Sequence, residues 1–169
     1  MGIPISTSTS KDTLDFVIRE VYSGPSIADL SAENVARLTL TFEQRQKSRQ
    51  RIHLDNGLAG ALVMQRGLRL HDRDLLRSEC GLIVQIVAAP EPVTTAYAAN
   101  ALAHARACYH LGNRHLSLQV APDWVRFSQD HVIDDLARHL GLRIEHGMHP
   151  FEPEDGAYAG GHTHHAHSH

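Results

Sequence analysis

Residues 100–120, NALAHARACYHLGNRHLSLQV, carry a helix into a strand and leave a histidine at the junction. Asn100 suits an N-cap, because its short side-chain acceptor can take an unbonded amide of the first turn. The spacing predicts a helix through about Leu111, with Leu102, Ala105 and Tyr109, joined by Ala101 and Cys108, on its buried face. Gly112 is a natural C-terminal stop. Leu116, Leu118 and Val120 then alternate with the period of a half-buried strand. Working outward, Pro122-Asp123 turns the chain and Trp124 to Phe127 returns it. Asp130 opens a second helix with the apolar stripe Val132, Ile133, Leu136 and Leu140, and Gly141 ends it. Leu142 and Ile144 start a last strand, and Val93 to Tyr97 supplies the first. The order β-α-β-β-α-β over 93–149 is the ferredoxin-like arrangement.

Upstream, the pattern is period two. Leu14, Phe16 and Ile18 alternate, as do Leu38, Leu40 and Phe42. Asp55-Asn56-Gly57 follows Ile52 and Leu54, and Asn-Gly tolerates the positive φ angles of a tight hairpin. Ala59 to Met64 returns, and Leu82 to Val87 is a further run of strand length. Residues 12–88 therefore read as a small all-β domain. Ala89-Pro90-Glu91-Pro92 reads as a linker (89–92), since two prolines remove ladder donors. Residues 1–11 read as a flexible extension, and 150–169, rich in Pro, Gly and acid, as a flexible histidine-rich tail. The fold class is α+β in two domains.

Composition narrows the function classes. At 42% hydrophobic the chain has real cores, and with 5% aromatic residues they must be aliphatic. Sixteen basic against 19 acidic residues, net −3, does not indicate a broad phosphate-binding surface, so nucleic acid is an unfavoured partner. Cys80 and Cys108 make neither a disulfide framework nor a CxxC zinc site, which fits a reducing cytosol. Ser and Thr stand where a signal peptide would carry its apolar core, and no run approaches the ~20 apolar residues of a membrane span. These features point to a cytoplasmic protein.

Histidine carries the chemistry. Of 14 histidines, five fall in the last eight residues: His162, His164, His165, His167 and His169. Imidazole binds Ni, Cu, Zn and Co, and a cluster on mobile backbone can meet many geometries. Thr163, Ala166 and Ser168 interrupt the run, unlike an expression tag. Twelve residues from Pro150 to His162 span roughly 20 Å on average, enough to fold back onto the body. His115 emerges at a helix end. Alone it reads as a surface residue, but a two-fold axis can pair two copies of it. His131 beside Asp130 is a weaker candidate, since Asp130 reads first as a helix cap. His104 with Cys108, and His146 with His149, read as incidental. Neither HExxH nor HxxEH is present, and no GxSxG, P-loop or dinucleotide motif is apparent, so the chain does not read as an enzyme. Arg45 to Arg51 reads as a solvated strand edge, with RNA contact as its alternative.

Several of these segments share one resemblance. LTLTFEQRQKSRQRI at 38–52, YHLGNRH at 109–115, DHVIDD at 130–135, PFEPE at 150–154 and the histidine-rich end resemble, in this order, the urease accessory nickel chaperones of the UreE family. The resemblance implies a β-rich, peptide-binding-like domain followed by a ferredoxin-like metal-binding domain that forms the homodimer. It implies that His115 is the central ligand, shared across the dimer axis. Tail histidines would complete the coordination, and His131 would match a secondary metal position. A family histidine two residues before it is Gln129 here. The cargo would be Ni(II), with Zn(II) or Cu(II) as competitors, passed to the urease assembly complex through its accessory GTPase. A metal store without a delivery role is the rival reading. Because imidazole must be neutral to bind, protons should compete near pH ~6.5.

Overall fold

The computed structural model describes residues 14–24 and 35–156. The expected extension at 1–11 and the histidines at 162–169 lie outside the described residues. Two compact units divide at Val87/Ala88.

The first unit holds a six-stranded sheet of order β2-β6-β5-β1-β4-β3. Its strands are β1 (Phe16–Val21), β2 (Val35–Leu40), β3 (Arg49–His53), β4 (Ala59–Val63), β5 (Leu75–Ser78) and β6 (Ile83–Ala88). The expected Asn-Gly turn joins β3 and β4: Gly57 takes φ +89° and His53 stands opposite Ala59. Alternation buries Phe16, Ile18, Leu38, Leu40, Ile52, Leu54 and Leu62 in one mainly aliphatic cluster. The unit is not wholly β. Thr41 caps a helical turn, α1 (Phe42–Arg45), through a reciprocal bond pair with Gln44. That turn absorbs Phe42, expected as a strand residue. It also divides the basic stretch. Arg45 is buried with Nη1 donating to the Leu70 carbonyl (3.1 Å), and Lys47 pairs with Glu43 (2.8 Å). Arg49 and Arg51 lie exposed on the edge strand β3, the solvated edge expected.

The second unit is the ferredoxin-like one. Its elements are β7 (Pro90–Tyr97), α2 (Ala101–Gly112), β8 (Gln119–Val120), β9 (Trp124–Ser128), α3 (His131–His139) and β10 (Arg143–Pro150). The sheet order is β10-β7-β9-β8 with every neighbouring pair antiparallel. Ala96, Val125, Phe127, Leu118 and Leu142 pack with Ala107 and Leu111 of α2 and Ala137 of α3. Gly141, at φ +80°, closes α3: its amide donates to Arg138 O and that of Leu142 to Ala137 O, which satisfies the helix's last carbonyls.

Two expected boundaries look different in three dimensions. Residues 90–92, read as linker, begin β7, with Pro90 opposite Pro150 and Pro92 opposite Met148. The prolines are tolerated because the β9 ladder starts only at Val93, so this end of β7 has β10 alone as a sheet neighbour. Residues 150–154, read as the start of the tail, are attached to the body: Phe151 is buried and the Glu154 amide donates to Leu118 O (2.7 Å).

Candidate metal centre

His115 occupies the turn between α2 and β8. Asn100 caps α2 as expected, accepting from the Ala103 amide (2.9 Å). Gly112 does not stop the helix. It is the last helical residue, and the turn continues through Arg114 N to Leu111 O and His115 N to Gly112 O. The left-handed residue that breaks the spiral is His115 itself, at φ +56°. For a side chain with a Cβ this costs about 1–2 kcal/mol. Leu118, buried just downstream, helps hold the chain that leaves the turn, while the His115 ring remains exposed. Strain held at an exposed side chain fits a functional position rather than a packing one.

Of the face of α2 expected to be buried, only Cys108 packs on the core; the rest turns outward. Leu102 and Tyr109 are 61% and 65% exposed, and Ala105 is exposed too. Ala107 and Leu111 are fully buried, with His104 and Cys108 half-buried beside them. Small side chains let α2 approach the sheet closely, and His104 Nε2 meets the Trp124 carbonyl at 3.3 Å. Leu102, Ala105, Tyr109 and Gly112 thus form an outward ridge at three- and four-residue spacing that runs to the His115 turn.

The remaining candidates sort by geometry. Asp130 caps α3, accepting from the amides of Val132 (2.8 Å) and Ile133 (3.3 Å). His131 is the exposed first residue of that helix. His104 and Cys108 are 3.9 Å apart, but burial pushes the Cys108 thiol up and keeps it protonated, so the pair makes a poor ligand set. Among the described residues no three His, Cys, Asp or Glu side chains stand where they could share one ion. A complete centre would therefore need ligands from outside the described residues, from a second copy, or from both.

One constellation escaped the sequence reading. Asp134, only 3% exposed, accepts from Thr94 Oγ1 (2.7 Å) and pairs with His146 Nε2 (2.6 Å). The signal was there: Asp134 lies beside Ile133 and Ala137 on the packed side of α3, and a carboxylate there requires partners.

Comparison with known proteins agrees with this architecture. The UreE urease accessory protein N-terminal domain family matches residues 23–89, and the corresponding C-terminal domain family matches 91–169. A urease accessory protein UreE of Alkalilimnicola ehrlichii is 50% identical over 125 residues, covering 74% of this chain and 77% of the relative. Those of Proteus mirabilis (46% over 123 residues; 73% and 76%) and Escherichia coli O157:H7 (42% over 139 residues; 82% and 89%) are similar over most of their lengths. With both domain families matched in order across its two units, the chain belongs to the UreE urease accessory protein family.

Proposed function

We propose that this chain is a cytoplasmic nickel carrier for urease maturation, acting as a homodimer and catalysing no reaction itself. The observation that carries the reading is the exposed, left-handed His115 at the end of the outward ridge Leu102–Ala105–Tyr109. Ridges of this spacing pack against one another, and a two-fold contact repeats every residue on both sides. Contact along the end of the ridge sets two His115 rings at one axis. Two imidazoles hold Ni(II) incompletely, and His162, His164, His165, His167 and His169 add further ligands. His131 is a secondary position. Zn(II) and Cu(II) compete for the same nitrogens, and Cu(II) is held more tightly by the general affinity order. An incomplete, exposed ligand set suits a carrier, because it leaves coordination positions through which the urease assembly complex and its accessory GTPase can draw the ion off.

Delivery separates this reading from storage. In a reconstituted urease assembly with nickel buffered at limiting concentration, the loaded chain is expected to accelerate appearance of urease activity. His115→Asn is expected to remove most of that acceleration. Equal acceleration by a histidine-rich peptide spanning 155–169 would mean that the chain buffers nickel and delivers nothing.

A further inference from the structure

Charge is divided unevenly along the second unit. Residues 92–122 contain no Asp or Glu, whereas eight carboxylates stand from Asp123 to Asp155. Within the acid-free stretch, Arg106, His110 and Arg114 recur at four-residue spacing along α2 and into the His115 turn, and all three are exposed. At 1.5 Å per residue the row is about 12 Å long. It ends one residue before His115. Arg106 and His110 follow Ala105 and Tyr109 by one position, so the row lies about 100° around the helix from the outward ridge and flanks it.

The unit has five arginines, and three of them are engaged. Arg126 donates to Thr95 Oγ1 (3.0 Å) and to Pro150 O (3.3 Å), Arg138 pairs with Asp135 (2.7 Å) and Arg143 pairs with Glu145. Among the described residues, Arg106, His110 and Arg114 meet no carboxylate. The helix dipole favours cations at a C-terminal turn, which accounts for His110 and Arg114 but not for Arg106 at mid-helix.

We propose that the row Arg106–His110–Arg114 docks an acidic face of the protein that takes nickel from the His115 site. The inference rests on the reading of the chain as a carrier. In the homodimer of that reading the ridges meet, and two copies of the row stand at the rim of the contact. Rim charges without partners of their own steer an oppositely charged protein and set its orientation, and they act mainly on the rate of association. An acidic face seated on the row lies beside the His115 turn without displacing the dimer. The arginines contact the partner and bind no metal.

The test is binding of the nickel-loaded, full-length chain to the urease accessory GTPase, followed by surface plasmon resonance at low and at high salt. Arg106→Gln/Arg114→Gln is expected to weaken binding about tenfold at low salt, mainly through slower association, and much less at high salt. Arg106→Lys/Arg114→Lys keeps the charge and is expected to stay within about twofold of the native chain. Nickel titration of the same variants is expected to be unchanged. Equal binding by the native chain and the glutamine variant overturns the row, as does a loss that high salt leaves untouched or that lysine fails to restore. A parallel fall in nickel affinity would place the arginines at the metal centre and overturn it too. Tighter binding of a single-stranded RNA oligonucleotide than of the GTPase, abolished by the same substitutions, would make the row a nucleic-acid surface and end the proposal. If the native chain does not bind the GTPase at all, the reading of that protein as recipient falls, and the row's role with it.

Discussion

Asp134→Ala is expected to destabilise the second unit by about 2–4 kcal/mol. The substitution deletes a carboxylate that is 3% exposed and strands the Thr94 hydroxyl, which is fully buried, without an acceptor. It also takes the partner of His146 Nε2, but that ring is 43% exposed and regains water. The loss therefore falls short of breaking a fully buried ion pair. Asp134→Asn keeps an oxygen for Thr94 and is expected to cost clearly less. Trp124, the sole tryptophan, lies on β9, so its fluorescence reports unfolding of this unit in urea. A shift below ~1 kcal/mol for Asp134→Ala would show that the Thr94–Asp134–His146 cluster contributes little.

Placing charge on the α2 ridge, as in Leu102→Glu/Tyr109→Glu, is expected to produce a folded monomer. Both side chains are more than half exposed in the single chain, so the substitutions disturb little within it. In the dimer proposed, they would bury unpaired carboxylates against their own two-fold copies, which is strongly unfavourable. Loss of the partner's His115 is then expected to lower nickel affinity on the order of 10²-fold, the usual advantage of a second linked ligand. Sedimentation velocity and nickel titration on one sample check both halves. A variant that stays dimeric would move the interface elsewhere. A monomer with undiminished affinity would remove the reason for pairing His115 across an axis.

Local chemistry made much of the fold legible. Asn100 and Asp130 cap their helices, Gly141 closes α3, and Asn56-Gly57 turns β3 into β4, because each choice is settled within a few residues. The β-α-β-β-α-β order followed from the same punctuation. What was not legible depends on distant partners. Apolar residues occupy both sides of α2, and only the close approach of helix to sheet selects Ala107 and Leu111 over Leu102 and Tyr109. Pro90 and Pro92 read as a break because the sequence does not show that β9 stops short of them. The parallel pairing of β1 with β4 joins residues more than 40 apart. For the candidate site, the family resemblance of the GNRH segment pointed to His115, whereas its left-handed backbone and the docking of Glu154 on Leu118 emerged only in three dimensions.

The central claim is that two His115 side chains share one nickel ion. Calorimetric titration of the full-length chain and of His115→Asn tests it most directly, because asparagine tolerates the left-handed backbone and removes the imidazole without a folding cost. The account predicts one tight ion per two chains in the intact protein. In His115→Asn that step disappears, and only the weaker binding of the tail histidines remains. A tight step that survives His115→Asn at the same stoichiometry would contradict the account and place the nickel elsewhere.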